Sequence, residues 1–303
     1  MTTRRSFLAS TAAMAVGSPA ILRAAAAPIA TIGLVSDAQY ADIDPAGTRF
    51  YRGSIEKLGK AIEHFNGLDL ACCLHLGDLI DRTWGSYDEI LKPLATSKHR
   101  FHHLLGNHDF DVLDEYKNRV PERFGLARRY YHVDQAGFRF VILDTTDLST
   151  YAQPAGTPEH ALATAALKSA KEAKLPQAEP WNGGLGAGQL AWLDKTCQEA
   201  AEQKRKVILF AHHPVFPVNP HNLWNSAAVL DLIRKHRHIV AWFNGHNHAG
   251  NFGTEDGVPF INLKGMVETA DTTAFATAEL HEDRLVLTGH GREISREVVF
   301  RKA

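Results

Sequence analysis

Five short segments of the chain each place candidate metal-ligand side chains directly after an apolar run. These runs are rich in Val, Ile, Leu and Phe, which predicts buried strands. In chain order the segments are Asp37-Ala38-Gln39, Gly77-Asp78-Leu79-Ile80-Asp81, Gly106-Asn107-His108-Asp109, Ala211-His212-His213-Pro214 and Gly245-His246-Asn247-His248. Strands that end in such loops gather carboxylates, amides and imidazoles along one edge of a sheet. The mixed oxygen and nitrogen set suits two hard or borderline divalent cations, and such a pair can clamp the oxygens of a phosphoryl displacement.

The stretches between these strands show helical periodicity of apolar residues. Ile55, Leu58, Ile62 and Phe65 predict a helix over about 51–66, ended by Asn66-Gly67. Further helices are expected at 89–94, 113–118, 159–174, 187–203 and 226–236, with another strand at 138–144. Strands at 259–263, 274–280 and 284–288 predict a second, antiparallel-rich sheet near the end of the chain. We therefore expect two sheets flanked by helices.

The composition changes between residues 148 and 188, where Ala, Pro, Lys and Glu dominate around a single helical stretch. We interpret this part of the chain as an insertion, or a lid over the site, within one domain of residues 27–303.

The first residues carry a twin-arginine export signal. Thr3-Arg4-Arg5-Ser6-Phe7-Leu8 precedes a mildly apolar stretch that is too short and too rich in small residues to span a bilayer. An A-x-A-like site at Ala24-Ala25-Ala26 predicts a mature chain that starts near Ala27. Residues 1–26 are therefore interpreted as a signal peptide for the twin-arginine machinery, and the mature protein is expected in the periplasm or secreted. The alternative is an accidental Arg-Arg pair in an N-terminal tail.

Charge and cysteine usage narrow the class of protein further. Without the leader, Lys plus Arg falls from 33 to 30 while Asp plus Glu stays at 34, a formal charge of −4. No basic field for nucleic acid results, and no membrane span is expected after the leader. Cys72 and Cys73 lie in a predicted strand and Cys197 in a predicted helix, so all three are interpreted as small buried apolar residues without a disulfide.

The five segments resemble the pattern of the calcineurin-like metallophosphoesterase superfamily, D-x-H, G-D-x-x-D, G-N-H-D/E, x-H-x-P and G-H-x-H, in the same order. Gln39 stands where most of the superfamily has His. This substitution and four further segments are similar to the branch of manganese-dependent ADP-ribose/CDP-alcohol diphosphatases: Phe50-Tyr51-Arg52-Gly53-Ser54, Trp181-Asn182-Gly183-Gly184-Leu185, Leu223-Trp224-Asn225 and Gly265-Met266-Val267-Glu268-Thr269. Asp109 replaces a Glu that is common in that branch, and the inserted segment before Trp181 is short.

The resemblance implies an α/β (α+β) fold, a four-layered sandwich of two mixed β-sheets packed face to face and flanked by helices. It also implies a hydrolase that cleaves the diphosphate linkage of small nucleoside diphosphate derivatives.

The residues and the resemblance agree on seven metal ligands. They are Asp78, which bridges the ions, then Asp37, Gln39 and His248 on one ion, and Asn107, His212 and His246 on the other. A helix N-cap is the alternative role for Asp78. The amide oxygen of Gln39 favours hard ions over Zn²⁺, unless Gln39 only hydrogen-bonds a metal-bound water. The expected cofactors are two divalent ions, Mn²⁺ first and Mg²⁺, Fe or Zn as alternatives, with a bridging hydroxide attacking phosphorus in line.

His108 and Asp109 are the candidate catalytic residues. The family uses the position of His108 to protonate the leaving oxygen, and Asp109 or another carboxylate would hold its tautomer. A structural histidine is the alternative. Asp81 is either a neighbour that supports the site or a surface helix cap. His213, at a variable position of the family pattern, is not expected to be a ligand.

Candidate substrate-binding residues lie in loops beside the metal motifs. A nucleobase needs an aromatic face, and Tyr40, Trp181 and Trp224 could supply one, although loop aromatics are more often packing anchors. The polar candidates are Arg52, Asn182 and Asn225. Arg49 is considered with Arg52 as a phosphate contact, or both are solvated on the first helix.

Three functions remain open at this stage. The first is hydrolysis of a nucleoside diphosphate linked to a sugar or an alcohol, which Gln39 and the Trp181 segment favour. The second is a broader exported phosphatase or phosphodiesterase of small phosphate esters, which suits the compartment better. The third is a non-catalytic metal-binding scaffold, although such proteins usually lose ligands or the leaving-group acid and this chain keeps both.

Overall fold

The computed structural model describes residues 27–302. The predicted signal peptide, residues 1–26, lies outside the described residues, so the twin-arginine signal stays a prediction. Across residues 27–302, every helix is too short or too polar to cross a bilayer.

The strands within residues 27–302 form two six-stranded sheets. The strands are β1 (Ala30–Val35), β2 (Cys72–Leu76), β3 (Phe101–Leu104), β4 (Tyr131–Gln135), β5 (Phe138–Ile142), β6 (Lys206–Phe210), β7 (Ile239–Asn244), β8 (Asn251–Glu255), β9 (Val258–Asn262), β10 (Ala274–Leu280), β11 (Arg284–Gly291) and β12 (Arg296–Val299). The first sheet has the order β12-β11-β10-β1-β2-β3, and the second has the order β4-β5-β6-β7-β9-β8. Both sheets are mixed, as expected.

Helices connect most of these strands. They are α1 (Ser54–Asn66), α2 (Ser86–Leu94), α3 (Asp114–Lys117), α4 (Val120–Arg123), α5 (Pro158–Glu172), α6 (Ala187–Glu202) and α7 (Ser226–Lys235), with 3₁₀ turns at Tyr51–Gly53 and His108–Phe110. The helices expected at 51–66, 159–174, 187–203 and 226–236 are confirmed close to their predicted bounds.

Parallel pairing decides where the polar loops meet. In the first sheet β1, β2 and β3 are parallel, and in the second β5, β6, β7 and β9 are parallel. The carboxyl ends of parallel strands lie on the same edge of a sheet. The loops that follow β1, β2, β3, β6 and β7 therefore converge, as the five segments predicted.

The sequence prediction for the end of the chain was wrong. The strands after residue 258 do not form a sheet of their own, because β9 pairs with β7 while β10 pairs antiparallel with β1. The prediction also missed β4, β8 and β12. All three are sheet edges with half-exposed residues, so they lack the continuous apolar run that marks a buried strand.

Apolar side chains fill three interfaces between four layers. Ile32 and Leu34 of the first sheet face Phe140, Phe210 and Phe243 of the second. The outer face of the first sheet is covered by α1 and α2, and that of the second sheet by α6 and α7. This arrangement confirms the four-layered sandwich. The three cysteines are buried and unpaired among the described residues, as predicted.

Candidate metal centre

The seven predicted ligands lie together where the two sheets meet, and each sheet supplies a different chemistry. The loops after β1, β2 and β3 carry the oxygen donors Asp37, Gln39, Asp78 and Asn107, while the loops after β6 and β7 carry the imidazoles of His212, His246 and His248. Ligand atoms of Asp37, Asp78 and His212 lie within 4.8 Å of one another. The structure therefore brings together the residues that the motifs predicted.

Asp78 lies at the middle of this cluster. Its Oδ2 is 3.0 Å from Gln39 Nε2 and 3.3 Å from His212 Nε2. On one side Gln39 Nε2 lies 3.1 Å from His248 Nε2, and on the other His212 Nε2 lies 3.3 Å from Asn107 Oδ1. Asp78 thus stands between the two predicted ligand sets, which is the position a bridging carboxylate needs.

Each of the three histidines has one ring nitrogen held by an oxygen. The last carbonyl of β2 lies 2.8 Å from His212 Nδ1, and Glu268 Oε1 lies 2.7 Å from His248 Nδ1. For His246 the contacted atom is Nε2, which lies 2.9 Å from Asn182 Oδ1. An acceptor keeps the proton on the nitrogen it contacts, so the other nitrogen has the lone pair that a metal ion needs.

Four of the ligands have a left-handed backbone. The φ angles are 53° at Asp37, 45° at Gln39, 56° at Asp78 and 69° at His246. Such conformations cost about 1–3 kcal/mol each for residues with a side chain and persist where the surroundings fix them. Here the Gln39 N–H donates to the Asp78 carbonyl at 2.9 Å, which links two of the strained loops. Backbone strain is thus concentrated at the predicted ligands.

Two glycines allow this close approach of the loops. A Cβ on Gly106 would overlap Asp78 Oδ1, and one on Gly245 would overlap Ser36 Oγ and lie 2.5 Å from Asp37 Oδ2. Any larger residue would push these carboxylates out of place.

Asp109 organises the loops. Its buried carboxylate accepts the backbone N–H groups of Asp78 at 2.9 Å, Leu79 at 3.0 Å and Gly106 at 2.9 Å. The carboxylate is therefore engaged by backbone, and the structure places it away from the His108 ring. The prediction that Asp109 is a catalytic residue that holds the His108 tautomer is corrected, because its carboxylate holds the Asp78 loop instead.

Asp81 takes the place expected for Asp109 beside His108. His108 Nδ1 lies 3.2 Å from the Asp81 carbonyl and 3.3 Å from Asp81 Oδ1. Asp81 itself is fully buried, which excludes the surface helix cap. The contact keeps the proton on Nδ1 and leaves Nε2 of His108 for proton transfer.

The charges around the centre fit divalent cations. Burial lowers the pKa of His212, but Asp78 and Asp37 outweigh it and raise the pKa to about 9. Burial raises the pKa of Asp78, and the His212 and His108 imidazoles together hold it well below its usual range. The centre thus attracts positive charge.

Gln39 gives a second sign that the donor set fits a metal. Its Oε1 is buried and has no hydrogen-bond partner within residues 27–302. An unpaired buried acceptor costs about 1–3 kcal/mol. Coordination of a hard ion by the amide oxygen would remove that cost.

His213 lies against two of the predicted ligands. Its ring centroid is 4.2 Å from that of His246, and His212, His213 and His246 offer ring nitrogens within 4.8 Å of one another. The Nδ1 of His213 lies 2.8 Å from Thr145 Oγ1, and its Nε2 lies 3.3 Å from the Trp181 carbonyl. Both ring nitrogens of His213 contact oxygen atoms outside the ligand set, and the prediction that His213 is not a ligand stays a prediction.

Two adjoining cavities open at the centre. The first, of about 420 Å³, is lined by Gln39, Arg49, Asp78, Asn107, His108, Trp181, His221, His246 and His248. The second, of about 350 Å³, shares Asn107, His108 and Trp181 with the first and extends to Phe110, Lys117 and Tyr151. His108 and Trp181 therefore stand at the boundary between them.

Two predicted substrate contacts lie elsewhere. Tyr40 is 7% exposed and packs in the core between the first sheet and its helices. Arg52 pairs on the surface with Asp42 at 2.5 Å and Asp44 at 2.7 Å. These two assignments are corrected, because neither side chain lines the cavities at the centre.

Two more predicted contacts hold residues 148–188 instead, the part of the chain that the sequence predicts to be an insertion and that is called the inserted segment. Trp224 is buried and donates from Nε1 to the Glu179 carbonyl at 3.0 Å. The Asn225 amide pairs with both the N–H and the carbonyl of Leu185, at 3.1 and 2.7 Å. Asn182 is fully buried and contacts His246. Of the six predicted substrate residues, only Trp181 lines the two cavities at the centre, with 44% of its surface exposed.

Sequence reasoning missed two residues of the site, Glu268 and His221, and left the role of a third, Arg49, undecided. Arg49 lies 4.0 Å from Glu268 and lines the first cavity, and the sequence could not separate it from Arg52. Glu268 had one available sign, as the single acidic residue of a segment that the resemblance selects. His221, whose ring lies 5.4 Å from that of His246, follows the His212 motif in a loop with no pattern to mark it.

Comparisons with known proteins agree with this geometry. The family model described as calcineurin-like phosphoesterase matches residues 30–250. A zebrafish (Danio rerio) protein named manganese-dependent ADP-ribose/CDP-alcohol diphosphatase is 30% identical over 88% of this chain and 96% of its own length. The human protein of the same name is 30% identical over 90% of this chain and 93% of its own length. A crystal structure described as a dimetal phosphatase from Danio rerio superposes with a TM-score of 0.81 at 28% identity, over 90% of this chain and all of that one.

The fold, the ligand set and these similarities define the class. The chain belongs to the calcineurin-like phosphoesterase family. It is a metal-dependent phosphoric ester hydrolase whose centre is built from clustered Asp and His side chains.

Proposed function

We propose that this protein is a manganese-dependent diphosphatase of small nucleoside diphosphate derivatives, of the ADP-ribose or CDP-alcohol type. The names of the relatives support this, since eight curated proteins that match the chain carry that activity in their names. Gln39 supports Mn²⁺, because an amide oxygen replaces an imidazole and favours a hard ion over Zn²⁺.

The observation that carries the proposal is the pair of cavities. A diphosphate diester has two bulky arms on either side of its reacting phosphorus, whereas a simple monoester has one. Here one cavity lies over Asp78 and the other continues past His108, the candidate leaving-group acid. The two spaces meet at His108 and Trp181, and this supports a substrate whose two arms lie on either side of the cleaved bond.

The chemistry follows from the residues around this junction. Divalent ions held by the seven ligands would polarise the phosphoryl oxygens and activate water. His108 Nε2 gives a proton to the departing oxygen, since Asp81 holds Nδ1. Arg49 offers a planar guanidinium at the cavity wall, which suits the oxygens of a phosphate.

Trp181 is the residue placed to cover a nucleobase. Its indole lines both cavities, and its carbonyl is held by His213. Stacking of a base on an aromatic face is worth roughly 1–3 kcal/mol.

A substrate panel with added Mn²⁺ tests the proposal. It compares ADP-ribose, CDP-choline, bis(p-nitrophenyl) phosphate and p-nitrophenyl phosphate. We expect the highest kcat/KM for one of the nucleoside diphosphate derivatives. No turnover of either, with good turnover of the nitrophenyl esters, would instead establish the broader phosphoesterase.

The variant Trp181→Ala gives a second test of the proposal. KM for the nucleoside diphosphate derivative should rise by about 5- to 150-fold, the equivalent of about 1–3 kcal/mol. Hydrolysis of bis(p-nitrophenyl) phosphate should be nearly unchanged. The matched control is Trp192→Ala, which removes an indole of α6 that packs on Tyr130. Equal losses on both substrates would mean that Trp181 only packs the inserted segment.

We also propose that the protein is exported by the twin-arginine route and acts in the periplasm or outside the cell. The Arg4-Arg5 pair and the alanine site before Ala27 support this. N-terminal sequencing of the protein from the periplasmic fraction should give a start near Ala27, and Arg4→Lys with Arg5→Lys should retain the chain in the cytoplasm. An uncleaved wild-type chain in the cytoplasm would refute the proposal.

A further inference from the structure

Asn182 lies deep in the inserted segment, although the sequence suggested a substrate contact. It is fully buried, and its amide touches three parts of the chain. The Nδ2 group donates to the Gln177 carbonyl at 2.9 Å and to the Pro220 carbonyl at 2.6 Å. Carbonyls only accept hydrogen bonds, so these two contacts fix which end of the amide is nitrogen. The oxygen must therefore face His246.

The orientation of Asn182 determines the tautomer of His246. Asn182 Oδ1 lies 2.9 Å from His246 Nε2 and cannot donate, so Nε2 carries the ring proton. The lone pair of the neutral ring then lies on Nδ1. In His212 and His248 the oxygen contact is on Nδ1, so Nε2 is the nitrogen left for a metal ion. His246 thus needs its own orienting partner.

We propose that Asn182 is a positioning residue of the metal centre, which presents Nδ1 of His246 to the second metal ion. The inserted segment is then a structural part of the centre rather than a removable lid. This inference rests on the proposed metal-dependent function, and it adds a residue that acts through a ligand. It also makes two neighbouring residues serve different parts of the site. Trp181 faces the substrate cavity, and Asn182 orients a metal ligand.

The chain offers a matched control in Asn225. Its amide also holds the inserted segment, through the N–H and the carbonyl of Leu185, but it touches none of the seven predicted ligands. Asn225→Leu therefore removes similar support from the loop and leaves His246 alone.

Binding of Mn²⁺ by metal-stripped protein is the direct test, measured by calorimetry and by the metal content after dialysis. The wild type should bind two ions. Asn182→Leu should weaken one of the two sites by about 10- to 100-fold, as loss of an orienting partner does. Asn182→Asp keeps the oxygen acceptor for His246 but loses the donor to the Gln177 and Pro220 carbonyls, so it should recover the affinity only in part. Asn225→Leu should bind both ions like the wild type.

The outcomes separate this inference from the proposed function. If the wild type binds no Mn²⁺, the metal-dependent function itself fails. If the wild type binds two ions and Asn182→Leu binds them equally well, or if Asn225→Leu loses the same site, only the role of Asn182 is refuted.

A second measurement needs no variant that could fail to fold. In the metal-free wild type, ¹⁵N NMR of the histidine rings should show His246 with its proton on Nε2. A proton on Nδ1 would overturn the inference, because the nitrogen meant for the ion would then be blocked.

Discussion

The two sheets hold one metal centre by different means. The first sheet supplies oxygen donors on strained backbone at Asp37, Gln39 and Asp78. The Asp109 carboxylate, in the loop after β3, fixes the Asp78 loop against its own loop. The second sheet supplies imidazoles. Two of these are oriented by side chains outside the five motifs, Asn182 for His246 and Glu268 for His248.

This difference shows which half of the metal centre the five motifs organise without help from other residues. The oxygen half is organised by the motif residues and their own backbone. The imidazole half depends on the inserted segment and on the loop after β9. We therefore expect changes in the first half to abolish the centre and changes around the second half to weaken one ion at a time.

The largest effect is expected for Asp78→Ala. Asp78 lies between both ligand sets, so its removal should abolish binding of both ions and reduce diphosphate hydrolysis below detection. Mn²⁺ content and activity are measured against Asp42→Ala, which removes an exposed carboxylate. An Asp78→Ala protein with wild-type activity would contradict the claim that both ligand sets depend on Asp78.

His108→Ala should have the next largest effect, on the chemical step alone. A general acid is worth about 10² to 10⁴ in rate, and it matters most for a leaving group that needs a proton. We expect that loss on a nucleotide alkyl phosphodiester and a small loss on bis(p-nitrophenyl) phosphate, with unchanged Mn²⁺ content. Equal losses on the two substrates would make His108 a binding or structural residue.

Glu268→Ala should weaken a single metal site. Glu268 Oε1 holds Nδ1 of His248, and loss of such a partner typically costs about 10- to 100-fold in metal affinity. Glu268→Gln keeps an oxygen acceptor and should recover part of that affinity. If Glu268→Ala binds Mn²⁺ like the wild type at both sites, the imidazole half does not depend on its outside partners.

The smallest effect on the centre is expected at His102, an imidazole of the first sheet that is not a ligand. Burial, with a smaller contribution from the Arg100 charge, lowers its pKa from 6.5 to about 4. The folded state then binds fewer protons than the unfolded state below pH 6.5. The contribution of His102 to the free energy of unfolding is therefore fully present above pH 6.5. It is lost as the pH falls toward 4, by up to about 3 kcal/mol.

His102→Phe isolates this contribution, since Phe does not titrate. The free energy of unfolding is measured by urea from pH 7 to pH 4.5. The wild type should lose more stability than the variant over this range, and both should bind Mn²⁺ equally at pH 7. Parallel pH profiles would show that His102 is protonated as easily in the folded state as in the unfolded one.

The sequence predicted the interior of the molecule better than its boundaries. Interior strands such as β2 and β7 are buried on both faces, so their apolar runs are visible in the sequence. The edge strands β4, β8 and β12 lack such runs and were missed. The strands after residue 258 were recognised, but their pairing depends on contacts with β1 and β7 that no local pattern shows.

In the site, the metal ligands were predicted from the sequence, but most of the substrate contacts were not. The ligands were predictable because each follows a strand directly, and parallel strands bring their ends together. Closeness to a motif did not identify substrate contacts, since Tyr40 follows Gln39 and yet packs into the core. His221 reaches the cavity only through the path of its loop. Asn182 was selected for its position in the sequence, but its amide faces a ligand rather than the substrate.

The central claim is that one pair of ions, held between the two sheets, cleaves a diphosphate linkage. Titration of Mn²⁺ into metal-stripped protein, with ADP-ribose hydrolysis followed by ³¹P NMR, tests it most directly. We predict no cleavage without metal, and full recovery at about two Mn²⁺ per chain with AMP and ribose 5-phosphate as products. Cleavage that persists in stripped protein, or ADP-ribose and CDP-choline that both stay intact at saturating Mn²⁺, would contradict it.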